Sequence, residues 1–279
     1  MLSIIIINFK NPALLRLCLK SLDRVLDQNF KKEIIVVDVE SSAETRNVIS
    51  EEFREVKLVQ FKDNIGFTRG VNEGIKSSSG DFFLILNPDI IPLKNSIESL
   101  YTYIESHPGV GLVGPRLLNF NGSPQYSCFR FPSPLTILYR RTFLGHLPFG
   151  KKALRHFLMQ DTNLDNTQEV DWLMGSAVMG HKKYLDKVGY MDENLFLYMN
   201  DVDWPRSFWE NGYTVVYFPK ASMYHYHKRE SKGMFGIFDV LFKKESRWHV
   251  EDALKYFKKY KFKTRPSVNR SLKYDFIKS

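Results

Sequence analysis

The sequence predicts an α/β fold: a mixed, mainly parallel central sheet flanked by helices, followed by a C-terminal helical tail. Three observations predict it. Short β-rich apolar runs alternate with helix-like stretches through the first half of the chain. The apolar runs are continuous rather than alternating, as strands buried on both faces must be. Carboxylates such as Asp38 and Asp89 stand just beyond these runs, where open α/β sheets place their ligands. A length of 279 residues and a hydrophobic content of 43% suit a chain with a real core and exclude a disordered one.

The first strand is expected over residues 4–7, in a segment with no basic leader and too few apolar residues for a signal peptide or membrane span. Asn11-Pro12 supplies a cap and a proline start for a helix over residues 12–26. Strands at 34–37, 56–61 and 82–86 then alternate with helices at 43–53 and 68–76. A helix over 94–106 stops at His107-Pro108-Gly109, and a short strand follows at 111–113. Residues 119–166 are rich in Pro, Gly, Phe and Arg with little periodicity, and read as a long excursion over the active face. Regularity returns over 170–179, followed by a helix near 182–188 and a strand-like run ending before His225 and His227.

Cys18 and Cys128 lack metal-ligand spacing and read as reduced structural thiols of a cytosolic protein. No segment offers the ~20 apolar residues of a membrane helix, so membrane contact would be peripheral. The charge is concentrated at one end: residues 243–279 hold 12 Lys/Arg and 4 Asp/Glu, +8 of the whole-chain +9. There Trp248, Leu254, Tyr256, Phe257 and Tyr260 punctuate a lysine run, as in a basic amphipathic helix. It suits either an anionic membrane surface or an aromatic stripe docked on the core beneath a solvated lysine face. A nucleic-acid partner is not expected, because no binding motif accompanies the charge.

The ordered segments SIIIINFKN, IIVVDVESS, NIGFTRGVNEG, GDFFLILNPDI, VDWLMGSAVMG, VGYMDENLFLYMNDVDWPRSFWENGY and YFPKASMYHYHKRES resemble the glycosyltransferase family 2 pattern, particularly its rhamnosyltransferase-like bacterial members. Seven segments in order are far more specific than any one. The resemblance implies a GT-A fold over residues 1–231, with a nucleotide-sugar-binding half (1–118) and an acceptor-binding half (119–231). Residues 232–279 form the tail.

By that resemblance Asp201 is the catalytic base, although Asn200 stands where the family usually has an acid and should leave Asp201 less basic. Asp89 matches a metal-motif carboxylate, with Asn87 at the motif's first position, and His225 matches a late histidine that completes metal coordination in some members; His227 is its neighbouring alternative. The divalent cation would be Mg²⁺ or Mn²⁺. Asn8, Asp38, Asn64, Gly66, Arg69 and Asn72 join Asn87 and Asp89 as donor-binding candidates. Phe9 could line the same pocket, while Ala43 and Glu44 depart from the family's usual Asp-Gly. Trp172, Gly175, Ser176, Asp203 and Arg206 are the acceptor or sugar candidates. For Trp172 a core position competes with sugar stacking, and for Arg206 a helix-face salt bridge competes with a donor phosphate.

The implied activity is inverting transfer of a sugar, rhamnose in this subgroup, from a dTDP- or UDP-linked donor to a glycan or polyprenyl-linked acceptor. Its expected place is the cytoplasm, on the cytoplasmic face of the inner membrane if the tail binds lipid; a homodimer is left open. A catalytically silent sugar-nucleotide-binding protein is the second reading, and a nucleotidyltransferase a weaker third.

Overall fold

The computed structural model describes residues 1–226, 244–264 and 266. His227 and the first part of the tail, residues 232–243, lie outside the described residues, as does the end of the chain.

The elements follow in the order β1 (Leu2–Asn8), α1 (Pro12–Val25), β2 (Lys32–Asp38), α2 (Ala43–Glu52), β3 (Lys57–Gln60), α3 (Gly66–Lys76), β4 (Phe82–Leu86), β5 (Ile90–Pro92), α4 (Ser96–Ser106) and β6 (Val110–Leu118). The second part comprises β7 (Cys128–Phe129), α5 (Pro134–Arg141), α6 (Pro148–Phe157), β8 (Gln168–Glu169), β9 (Trp172–Leu173), β10 (Ala177–His181), α7 (Leu185–Val188), α8 (Asn200–Glu210), β11 (Thr214–His225) and α9 (Lys244–Lys259).

The main sheet runs β3-β2-β1-β4-β10-β6-β11-β5, with β8 pairing on β11. β1 to β4 are mutually parallel, and β6 is parallel to β11. β10 is antiparallel to both β4 and β6, so β4, β6 and β11 all point the same way. The carboxyl ends of β1, β2, β4 and β11 therefore share one edge, and they carry Asn8, Asp38, Asn87 to Asp89 and His225.

β1 shows why these residues make a central strand. All seven are buried; Ile4 and Ile6 pack into one cluster with Leu15, Leu19 and Leu22 of α1, while Ile5 and Ile7 pack into the other with Val71 and Ile75 of α3. Alternate side chains thus supply the two cores on opposite faces of the sheet. Both cysteines are buried and unbridged. Burial pushes each thiol up to about 12, which leaves them inert.

Two sequence expectations change. The 119–166 stretch is not a plain excursion, because it contains β7 and the α5–α6 hairpin. Ser133 caps α5 with a reciprocal Thr136 box, and Pro134 and Pro148 open the two helices. The tail takes the docked alternative: Ala253, Tyr256 and Phe257 of α9 are buried in a third cluster with Phe129, Phe157, Trp172, Leu195, Met199 and Val202. No helix among the described residues is long and apolar enough to cross a membrane.

Candidate active site

At the carboxyl edge, β4 ends at Leu86 and β10 begins at Ala177, and the ladder continues one step further through a 2.9 Å bond from the Asn87 N–H to the Ser176 carbonyl. Gly175, the preceding residue, lies directly beneath Asp201. A Cβ built on it would stand 3.3 Å from the Asp201 Cβ, a tight approach, and 3.9 Å from the Phe67 ring, an ordinary contact. The glycine spares the Asp201 Cβ that crowding. Its N–H also faces the Asp201 carboxylate and favours the ionised form. The metal candidates and the candidate base are thereby tied to one pair of strand ends.

Asp201 occupies the first turn of α8, next to the left-handed Met199 (φ 62°). Burial pushes its carboxyl up to about 6, against the Gly175 N–H and the Arg140 charge, which favour ionisation. Burial thus offsets the lower basicity expected from Asn200. That asparagine is itself buried and donates to the Thr68 hydroxyl (3.2 Å) and the Leu197 carbonyl (2.9 Å), fixing the start of α8 against α3.

The structure brings Asp89 and His225 together, with Oδ2 and Nε2 3.5 Å apart. The other ring nitrogen, Nδ1, is 2.9 Å from Gln125 Oε1. Gln125 donates its amide hydrogens to the His225 carbonyl (2.9 Å) and Asn119 Oδ1 (2.8 Å), so its oxygen is the atom left to accept from Nδ1–H. In the neutral ring, Nε2 then presents a lone pair towards a carboxylate, an arrangement that favours a proton or a cation between them. Sequence reasoning missed Gln125, which lies in an irregular stretch with no motif to mark it.

Asn8 and Asp38 are both fully buried and bonded to each other, Asn8 Nδ2 donating to Asp38 Oδ1 (2.8 Å) and to Thr45 Oγ1 (3.2 Å). The Ser42 N–H donates to Asp38 Oδ2 (3.3 Å), and burial raises the Asp38 carboxyl above the usual range. These two residues brace the strand ends and present no surface; Phe9, 47% exposed, is the side chain that this strand end offers. Asn64 accepts from the Gly66 N–H (2.9 Å) at the start of α3. Gly66 has φ +78°, and its Cβ would lie 2.7 Å from the Phe196 ring, so the loop-helix packs against the segment leading into α8. Arg69 is exposed.

Four candidates have other duties. Asn72 is buried and clamps the loop between α7 and α8, accepting from the Met191 N–H (3.0 Å) while donating to the Met191 carbonyl and Glu193 (2.9 Å each). Trp172 takes the core alternative: its ring stacks on Phe129 at 4.3 Å and its Nε1–H donates to the Arg130 carbonyl (2.9 Å). Asp203 is buried against α9, where Lys259 Nζ reaches it at 2.9 Å. Arg206 is 1% exposed; it bonds Glu210 (3.2 Å), the Tyr256 hydroxyl (3.2 Å) and the Lys263 carbonyl (2.7 Å), and lies 3.8 Å from the Tyr260 ring centre. The salt-bridge reading of Arg206 holds, and both residues tether the tail. Ser176 remains at the site, buried, with no bonding partner for its hydroxyl among the described residues.

One tail residue missed in the sequence acts on the site. Asp252, 1% exposed, accepts the backbone N–H groups of Phe196 (3.4 Å), Leu197 (3.2 Å) and Tyr198 (3.0 Å), the three residues just before Met199 and α8.

Comparison with known proteins bears on the fold and the family. The structure resembles GalNAc-T7 solved with UDP, GalNAc and Mn²⁺ (TM-score 0.65, 14% identity, covering 82% of this chain and 44% of that one). It also resembles the mannosyltransferase PcManGT from Pyrobaculum calidifontis solved with GDP-Man and Mn²⁺ (TM-score 0.57, 15% identity, 82% and 57%). These likenesses show the GT-A fold. In sequence, the chain is 29% identical over 208 residues to the low-salt glycan biosynthesis hexosyltransferase Agl10 of Haloferax volcanii, a match covering 72% of this chain and 59% of that protein. It is 27% identical over 212 residues to the N-acetylglucosaminyl-diphospho-decaprenol L-rhamnosyltransferase of Mycobacterium tuberculosis (72% and 68%), and 25% identical over 191 residues to the rhamnosyltransferase WbbL of Escherichia coli (67% and 65%). The family described as Glycosyl transferase family 2 matches residues 3–162, more than half the chain, and this protein belongs to that family.

Proposed function

We propose that the protein transfers a sugar, rhamnose in the favoured case, from a nucleoside diphosphate donor to a glycan or polyprenyl-linked acceptor with inversion at the anomeric carbon. The observation that carries this reading is Asp201: a carboxylate raised to about 6, held over Gly175 at the sheet edge that also bears Asp89 and His225. A base with a pKa near working pH is suited to accepting an acceptor hydroxyl's proton. In a single displacement that oxygen bonds to the anomeric carbon as the carbon–phosphate oxygen bond breaks, and the nucleoside diphosphate leaves with the bonding pair. The relatives named as rhamnosyltransferases, one of them acting on a decaprenol-linked sugar, support the donor and acceptor classes.

Asp89 and His225 would hold the divalent cation. Their carboxylate and imidazole suit Mg²⁺ or Mn²⁺, with Gln125 orienting the ring; the neighbours solved with Mn²⁺ support this choice. The described residues hold no group of three His, Cys, Asp or Glu, so the remaining ligands would be donor diphosphate oxygens and water. The bound cation would neutralise charge developing on the leaving diphosphate. Phe9 offers an aromatic face to the base, and Asn8 and Asp38 brace its strand ends.

The test is a panel of dTDP-, UDP- and GDP-sugars with and without Mn²⁺ or Mg²⁺, read by thermal shift and by release of free nucleoside diphosphate. Metal-dependent stabilisation with slow release for one donor supports transfer. Stabilisation without release, even with glycolipid extract present, would favour the silent binder, and no response to any donor would overturn both.

A further inference from the structure

The α5–α6 hairpin leaves large apolar side chains in water. Phe143, between the helices, is 74% exposed; Leu135 and Phe149 are 56% and 54% exposed, and Leu138 and Leu147 are 36% each. Single exposed hydrophobics need no explanation, but five in one hairpin form a surface that does. The same residues, 134–157, include Arg140, Arg141, Lys151, Lys152 and Arg155 and no Asp or Glu. The hairpin is a firm platform: Ser133 and Thr136 cap it, Gly145 and Gly150 are buried, and Phe157 packs into the third core cluster.

We infer that this hairpin is the face by which the protein sits on an anionic lipid bilayer. Phenylalanine and leucine side chains enter the boundary between headgroups and acyl chains, while arginine and lysine meet lipid phosphates. The hairpin's charge complements such a surface. The tail does so less well: it exposes Leu254 and Phe262, but Ala253, Tyr256 and Phe257 are packed on the core and Lys259 is paired with Asp192 and Asp203. Position gives the surface its purpose: Ile137 and Phe157 of the hairpin pack in the cluster that holds Met199 and Val202, on either side of Asp201, so a bilayer under the hairpin lies near the proposed base. That purpose rests on the reading of a lipid-linked acceptor; the surface itself rests on exposure and charge.

Full-length protein should co-float with vesicles of phosphatidylcholine and phosphatidylglycerol, less with added salt, and hardly at all with phosphatidylcholine alone. Phe143→Ser/Phe149→Ser and Lys151→Glu/Lys152→Glu should each weaken that binding by about tenfold or more. Both variants should keep the parent's thermal midpoint and its donor-induced thermal shift. Lys258→Glu/Lys261→Glu, on exposed tail lysines, should bind as the parent does. Binding lost in the tail variant but kept in the hairpin variants would overturn the inference, as would no binding to either vesicle or equal binding by all variants. A donor shift that is absent while vesicle binding behaves as expected would overturn the proposed function and leave the lipid surface standing.

Discussion

Asp201 joins the chemistry to a cost in stability. Because its folded-state carboxyl is raised to about 6, its base form grows as pH rises through that value; kcat/KM should climb over the same range and then level off. Asp201→Asn should lower turnover by about 10²–10⁴-fold, abolish that limb, and leave donor binding intact. The stability effect has the opposite sign. A raised carboxyl stabilises the fold fully below its unfolded value of ~3.9, and the contribution is lost as pH rises through about 6. Asp201→Asn should therefore stabilise the protein at pH 7 by on the order of 2–3 kcal/mol, with the gain shrinking towards pH 4, as read by unfolding at the two pH values. Gly175→Ala should push on the Asp201 Cβ and slow turnover by about tenfold or more while the thermal midpoint barely moves. Asp201, Gly175, Asp89 and His225 were legible because each stands at a strand end or helix start within an ordered motif. Trp172, Asp203 and Arg206 stand in the same motifs, but whether they face a cleft or a packed helix is set by residues far along the chain, Tyr256 and Lys259 among them.

Among elements, α9 has the least expected influence. Its Asp252 carboxylate gathers three consecutive N–H groups just ahead of α8, so the tail helix fixes where the base begins. Hydrogen bonds to a charged acceptor contribute about 1.5–3 kcal/mol each at most, and these share one carboxylate. Asp252→Ala should cost about 2–3 kcal/mol in urea unfolding and lower kcat more than it raises the donor's KM, because the loop loosens where the acceptor is deprotonated. Lysine periodicity alone does not reveal that role, since it reports which face is wet and says nothing of what the dry face holds. The α5–α6 hairpin is the reverse case. Its Ser133-Pro134 and Pro148 starts carry helix signals that went unread, because exposed Leu and Phe blur the amphipathic pattern by which short helices are recognised.

Across the whole molecule, three apolar clusters are linked through the sheet and α8, and the third is closed by α9. A chain ended after Tyr226 should expose Phe129, Phe157, Val202 and their neighbours to water; it should unfold at a lower temperature than the parent, or aggregate, in a thermal scan with light scattering. The alternation of strand and helix in the first half was legible because β1, β2 and β4 are apolar on both faces. The second half was legible in part: the regular run at 170–179 and the run before His225 hold β9, β10 and β11, whereas β7 and β8 are two-residue strands that only their partners define. One strand sets a limit on how the protein can work. β10, from the later part of the chain, bonds to β4 on one side and β6 on the other, so residues beyond 119 are laced into the middle of the sheet that residues 1–118 build. The two parts of the chain cannot separate like jaws without tearing backbone hydrogen bonds from the core; under the proposed function, substrates would be admitted and released by segments that cross the rim. The pace of turnover is then open to change by altering those segments alone, with the framework left as it is.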